Sequence, residues 1–185
     1  MQPIFYDNPL APLLIRNYLF SSIPEYVDHL VVLCIGSNRI NGDSLGPFVG
    51  TLLSGLYPKH MTIIGNLKRP VDATNIKEIV KQFPASPSTY TLAIDSVVGI
   101  SDYIHTIVVR NGALTPGSAL DKNLPSVGDI SIMGVMMEDC ENIATLSYTN
   151  LHIVYQMAKA IALGISLTVR QRFGYESTSS ILINN

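Results

Sequence analysis

The chain predicts an α/β fold, a three-layer α/β/α sandwich around a mostly parallel sheet. Three observations predict it. Short apolar runs alternate with stretches whose apolar residues recur at helical spacing, the signature of strand–helix–strand units. The apolar runs, such as Leu30-Val31-Val32-Leu33-Cys34-Ile35, are continuous rather than alternating, as in strands covered on both faces. The chain also has 185 residues, 47% hydrophobic and 14% charged, which suits one domain with a sizeable core. Within residues 1–185 the expected parts are a helical extension over 1–28, a core over 29–164 and a tail over 165–185.

The elements follow in order. Pro3, Pro9 and Pro12 punctuate the start, and residues 10–20 suit a short helix that Pro24 ends. The first strand covers 29–35. The next helix covers 44–56, with Leu45, Phe48, Val49, Leu52 and Leu53 at helical spacing and Pro47 in the first turn, where its missing N–H has no helical partner. A strand over 61–64 leads through Gly65-Asn66 to an amphipathic helix over 74–81. The strand over 90–94 is followed by another over 103–109 with no helix between, so one of the two is expected to run antiparallel or at a sheet edge. Residues 111–128, rich in Gly, Pro, Ser and Asn, form a loop of the length that often carries function. A strand over 129–136 and a helix over 141–163, with Gly164 as its C-cap, complete the core.

Composition excludes several classes. A net charge of −2, with Lys68-Arg69 as the only small basic group, gives no footprint for nucleic acid. Cys34 inside a strand and Cys140 before a helix form neither a disulfide framework nor a CxxC spacing, which fits buried thiols in a reducing compartment. The start of the chain lacks a basic segment followed by an apolar one. The apolar stretch near the C-terminus is broken by Gln156 and Lys159, so no membrane partner is expected and a cytoplasmic location is.

The chemistry concentrates in Gly36-Ser37-Asn38-Arg39-Ile40-Asn41-Gly42-Asp43-Ser44-Leu45-Gly46, where a buried strand gives way to a helix. Asp43 stands there. Asp95 ends the strand 90–94, followed by Ser96. Either aspartate alone would suit a helix cap or a turn acceptor. Together they suggest a site, because ligands of parallel α/β sheets bind beyond the carboxyl ends of the strands where strand order reverses. If the second strand pairs on one side of the first and the third on the other, the two meet at that point. Neighbouring strands lie about 4.8 Å apart, close enough for two carboxylates to share a proton, a water or a metal. Two carboxyl groups in a partly dry crevice do not both ionise cheaply, so one keeps its proton while the other acts as a base.

The rival readings are weaker. The loop lacks the Gly-Lys-Ser/Thr ending of a phosphate loop and the spacing of a dinucleotide motif. No G-x-S-x-G elbow supports a nucleophilic serine. Of the histidines at 29, 60, 105 and 152, none shows metal-ligand spacing, and only His105 is retained as a candidate. Arg39 is a candidate for orienting a substrate carboxylate.

The segments Cys34-Ile35-Gly36-Ser37-Asn38-Arg39, Gly42-Asp43-Ser44-Leu45-Gly46-Pro47, Ala93-Ile94-Asp95-Ser96, Leu114-Thr115-Pro116-Gly117-Ser118 and Leu124-Pro125-Ser126-Val127-Gly128-Asp129-Ile130 together resemble the YyaC family of sporulation proteins, relatives of the spore germination protease. The likeness covers roughly residues 29 to 164. It implies a phosphorylase/hydrolase-like sandwich shared with the hydrogenase maturation endopeptidases, a catalytic pair at Asp43 and Asp95, and a protein or peptide substrate in the sporulating cell or spore. Gly42, Ser44, Ser96 and the 115–118 loop with Ser118 would line the cleft beside Arg39. In the maturation enzymes acids at these positions bind nickel with a histidine. Here 124–129 has none, leaving Asp43, Asp95 and Asp129 as candidate ligands for a divalent metal. Asn38 stands where many relatives would carry Asp. Two alternatives remain: a non-enzymatic sporulation factor that binds a peptide or protein partner, and a phosphorylase-like enzyme acting on a nucleoside or another small molecule.

Overall fold

The computed structural model describes residues 2–82, 86–117, 124–139, 142–176 and 178–182. Six strands form one sheet: β1 (Ile4–Phe5), β2 (His29–Cys34), β3 (Met61–Ile64), β4 (Thr89–Gly99), β5 (Thr106–Asn111) and β6 (Ile130–Glu138), in the order β1-β5-β6-β4-β2-β3. The strands β3, β2, β4 and β6 run parallel, while β5 is antiparallel to β6 and β1 to β5. The missing crossover helix between β4 and β5 forces that reversal, since a parallel return needs a long connection.

The alternation of side chains across the sheet makes two cores. Leu30, Val32 and Cys34 of β2, with Leu92 and Ile94 of β4, face α1 (Ala11–Ser22), α2 (Leu45–Leu53) and α4 (Leu151–Arg172). Leu33, Ile35 and Ala93 face the other way, onto Ile76 of α3 (Ile76–Val80) and onto Val71, Leu114, Leu124 and Val127. The result is an α/β sandwich, mostly parallel, with one thick helical layer and one thin layer made of a short helix and a long loop. Leu30, Leu92 and Ile130 are wholly buried, and each such side chain contributes about 1.5–3 kcal/mol through the area it removes from water.

Several element boundaries differ from the sequence pattern. The strand expected to end at 94 continues to Gly99, because β6 pairs with it through Gly99↔Glu138. The strand expected from 103 begins at Thr106, since Ser101–Tyr103 form a 3₁₀ turn and His105 adopts φ 60°. The helix at 74–81 shortens to α3, and Asp72 organises its entry: Oδ1 accepts from Thr74 N–H at 2.8 Å and from its hydroxyl at 2.6 Å. The expected helix over 141–163 is instead a 3₁₀ turn, Ile143–Tyr148, followed by α4. Asn150 starts α4 by accepting from His152 N–H at 3.0 Å.

Gly164 is not a C-cap. It lies inside α4, where a Cβ would stand 2.7 Å from Ile15 Cγ2 and 3.0 Å from Pro12 O, so its bare surface lets α1 cross close against α4. By length and composition α4 could span a membrane, with mean hydropathy 1.3, but 61% of that window is buried against the rest of the fold. It is the core helix. The chain beyond it folds back, with Tyr57 Oη donating to Ser180 O at 2.8 Å and Tyr175 Oη against His60 Nδ1 at 2.9 Å.

Candidate functional site

The site forms where β2 ends. Ile35 N–H donates to Ile94 O and Gly36 N–H to Val71 O, both at 2.8 Å, and there the chain leaves the sheet. Gly36 has φ 136°, and a Cβ on it would stand 2.0 Å from Asp43 O. Only glycine allows this turn. Ser37 N–H then reaches Asp43 O at 3.0 Å, closing residues 37–43 into a loop whose end winds into a 3₁₀ turn, Gly42–Ser44. Asn41 Nδ2 donates to Thr149 O at 3.2 Å and ties that turn to the one at Ile143–Tyr148. Gly46 seats the start of α2 on β2, since a Cβ there would stand 2.1 Å from Ile35 O. The glycines thus place Asp43 beyond the carboxyl end of β2.

Asp95 arrives from β4. It follows Ile94, the last residue paired to β2, while β3 lies on the far side of β2, so the two aspartates meet where strand order reverses. Ser96 joins them: its N–H donates to Asp95 Oδ1 at 2.8 Å, and its hydroxyl to Asp43 Oδ1 at a long 3.4 Å. Asp95 is 6% exposed and Asp43 half-buried. Burial first, then the charge of Asp43, hold the Asp95 carboxyl well above the usual carboxylate range, against a smaller downward pull from Ser96 N–H. Such a pair holds a proton at one member and accepts one at the other.

Both aspartates open into a cleft of about 530 Å³. It is lined by Ser96, Val97 and Val98 of β4 and Met133 of β6, by Leu114, Thr115 and Gly117 of the loop after β5, and by Ile40, Ala144, Leu146 and Ser147. Arg110 of β5 also lines it and is the only cationic side chain among the described lining residues. Its Nη2 donates to Ala113 O at 3.4 Å.

Other expected site residues fall elsewhere. Arg39 is exposed on the loop and does not line the cleft. Gly42 and Ser44 are buried supports of the turn: a Cβ on Gly42 would meet Leu146 Cδ1 at 2.4 Å, and Ser44 Oγ donates to Asn41 O at 2.6 Å. Ser118 lies outside the described residues, as does Cys140. Burial pushes the thiol of Cys34 up, which leaves it inert. His105 packs edge-on against Tyr6 and does not line the cleft. Asn38 Nδ2 donates to Leu67 O at 2.8 Å, which gives it a loop-bracing role.

Asp129 does not join the pair. It caps the other end of β4, with Oδ2 accepting from Thr91 N–H and its own N–H donating to Thr91 O, both at 2.8 Å. Four residues of strand, about 13 Å, separate Thr91 from Asp95. Among the described residues no three His, Cys, Asp or Glu side chains form a metal-binding group. Two carboxylates without a histidine do not fit the nickel set of the maturation enzymes.

Sequence reasoning missed Arg110, Val97, Val98, Met133 and the 143–148 turn. A β-branched pair after Asp95-Ser96 was the available signal for a longer β4. Arg110 had none, because its approach depends on β5 doubling back beside β6.

The family model described as "Protein of unknown function (DUF1256)" matches residues 3–164. The chain is 32% identical over 178 residues to "Uncharacterized protein YyaC" of Bacillus subtilis (strain 168), covering 95% of this chain and 87% of that protein. No solved structure matches. The chain therefore belongs to the DUF1256 family.

Proposed function

We propose that the chain is a peptidase in which Asp43 and Asp95 activate a water for attack on a peptide bond. The observation that carries this reading is the meeting of a buried Asp95, whose carboxyl is held well above the usual carboxylate range, with a more exposed Asp43, joined through Ser96 in an open cleft. Asp43 takes a proton from water as the oxygen attacks the carbonyl carbon. Asp95 gives its proton to the leaving nitrogen as the C–N bond breaks. The proton on Asp43 then restores Asp95, and no charge is left over. The kinship with the germination protease that the YyaC-family resemblance implies supports a peptide or protein substrate, and the YyaC likeness supports a setting in sporulation or germination, inside the cell or spore.

Hydrolysis of a peptide mixture followed across pH tests the reading. A bell-shaped rate governed by two coupled acids is expected, with loss of hydrolysis in Asp43→Asn. Full activity of that variant would sink the mechanism. The apolar walls at Val97, Leu114, Met133 and Leu146 favour one second reading, a non-enzymatic factor that captures a peptide partner. Partner capture unchanged in both aspartate variants, with no cleavage by the native protein, would select it.

A further inference from the structure

The strand β4 outlasts β2. From Asp95 to Gly99 it pairs, among the described residues, on one edge only, with β6, from Asp95↔Met133 to Gly99↔Glu138. The other edge borders the cleft, whose lining includes Ser96, Val97 and Val98.

The direction of the backbone groups on that edge follows from the ladder. Successive residues of a strand in a parallel sheet direct their N–H and C=O groups to opposite neighbours. Ile94 O accepts from Ile35 N–H, so Ile94 faces the β2 side, and Ser96 and Val98 face the same way. Gly99 O accepts from Asp139 N–H at 2.9 Å on the β6 side, so this phase survives the register shift between Val97 and Val98. Ser96 N–H is taken by Asp95 Oδ1. Among the described residues, Ser96 C=O and both backbone groups of Val98 have no partner. A half-buried strand edge with open donors and acceptors is a template for another strand.

We propose that this edge of β4 receives an extended peptide segment as an added strand, seated where β2 would continue. Ser96 C=O and the Val98 N–H and C=O bond its backbone, and Val97, Leu146 and Met133 receive its alternating side chains. A chain laid on this edge passes directly by Ser96, the residue that joins the two carboxylates. The surroundings suit a long ligand rather than a small one: Ile100, just past β4, is 64% exposed, and Tyr148, which follows Ser147 of the cleft lining, is 87% exposed. Backbone bonds on a strand edge give affinity with little regard to sequence, and the side-chain pockets give selectivity. The inference rests on the reading of the cleft as a peptide site but not on cleavage there.

The test pans a phage-displayed random octapeptide library on Asp43→Asn protein, which keeps the β4 edge intact. Selected peptides are then resynthesised with single N-methyl groups. Binding should fall about tenfold or more with N-methylation at alternate positions and stay near the parent value at the positions between. Val98→Pro, which removes an N–H that β6 does not use, should weaken binding to a similar degree. The N-methyl scan alone decides the matter if that variant fails to fold. Failure to select any peptide, or binding indifferent to every N-methyl group, would overturn the added strand. Peptides that bind in register but are not cut by the native protein would leave the added strand standing and remove the peptidase; cleavage of peptides indifferent to N-methylation would do the reverse.

Discussion

Replacing Asp95 by Asn should make the protein more stable and inactive, and the gain should depend on pH in a defined way. Asparagine keeps the shape and the oxygen that accepts from Ser96 N–H, while removing a charge that burial and Asp43 both penalise. In the folded chain Asp95 keeps its proton to a higher pH than in the unfolded chain, whose value is near 3.8. Between those two values the folded state binds more protons than the unfolded one, so the stability of the native protein falls as pH rises, by about 1.4 kcal/mol per pH unit for one proton. Below the unfolded value the two proteins should be close. Above it the difference should open, by about 3–5 °C in Tm per pH unit for a chain of this size, and level off above the folded value. At 6% exposure no large solvent discount applies to Asp95. Thermal unfolding of both proteins in matched buffers from pH 3 to pH 8 reads this directly. Parallel curves across the range would refute the claim that Asp95 is held protonated.

Three further outcomes follow from the geometry. Gly46→Ala would drive a Cβ to within 2.1 Å of Ile35 O and force α2 off the end of β2; a loss of about 1–3 kcal/mol is expected by chemical denaturation, and an unchanged midpoint would contradict the close approach. Arg110→Ala should lower kcat/KM several-fold because Arg110 lines the cleft, whereas Arg39→Ala should leave it within about twofold because Arg39 is exposed away from it; the opposite ranking would return Arg39 to the site. Dialysis against a chelator should leave any hydrolysis intact, since the pair has no third acidic, histidine or cysteine donor among the described residues; loss restored by a divalent cation would show that the two carboxylates recruit one.

Much of the architecture was legible because the pattern of burial is written along the chain. Continuous apolar runs at 30–35 and 90–94 marked doubly covered strands, while the reversal of strand order that brings Asp43 to Asp95 stood only as one possible pairing of three strands until the sheet order β4-β2-β3 supplied it. The Gly36 to Gly46 segment stood out as the place where a buried strand gives way to a helix, and in the fold its glycines serve close approaches to Asp43 O, the Leu146 side chain and Ile35 O. What stayed hidden depends on contacts far apart in sequence. The polar Asp95-Ser96 step suggested a strand end, yet pairing with β6 carries β4 to Gly99. Gly164 resembled a helix stop but serves the crossing with α1. Asp129 shares a chemistry with the pair, and only the parallel register shows it at the opposite end of β4.

The central claim is that the Asp43–Asp95 pair cuts peptide bonds. It is tested most directly by incubating the pure protein with an acid-soluble spore-protein extract beside Asp43→Asn, and reading new peptide termini by mass spectrometry. The account predicts a defined set of new termini with the native protein and none with the variant. No cleavage by the folded native protein, or the same termini from both proteins, would contradict it.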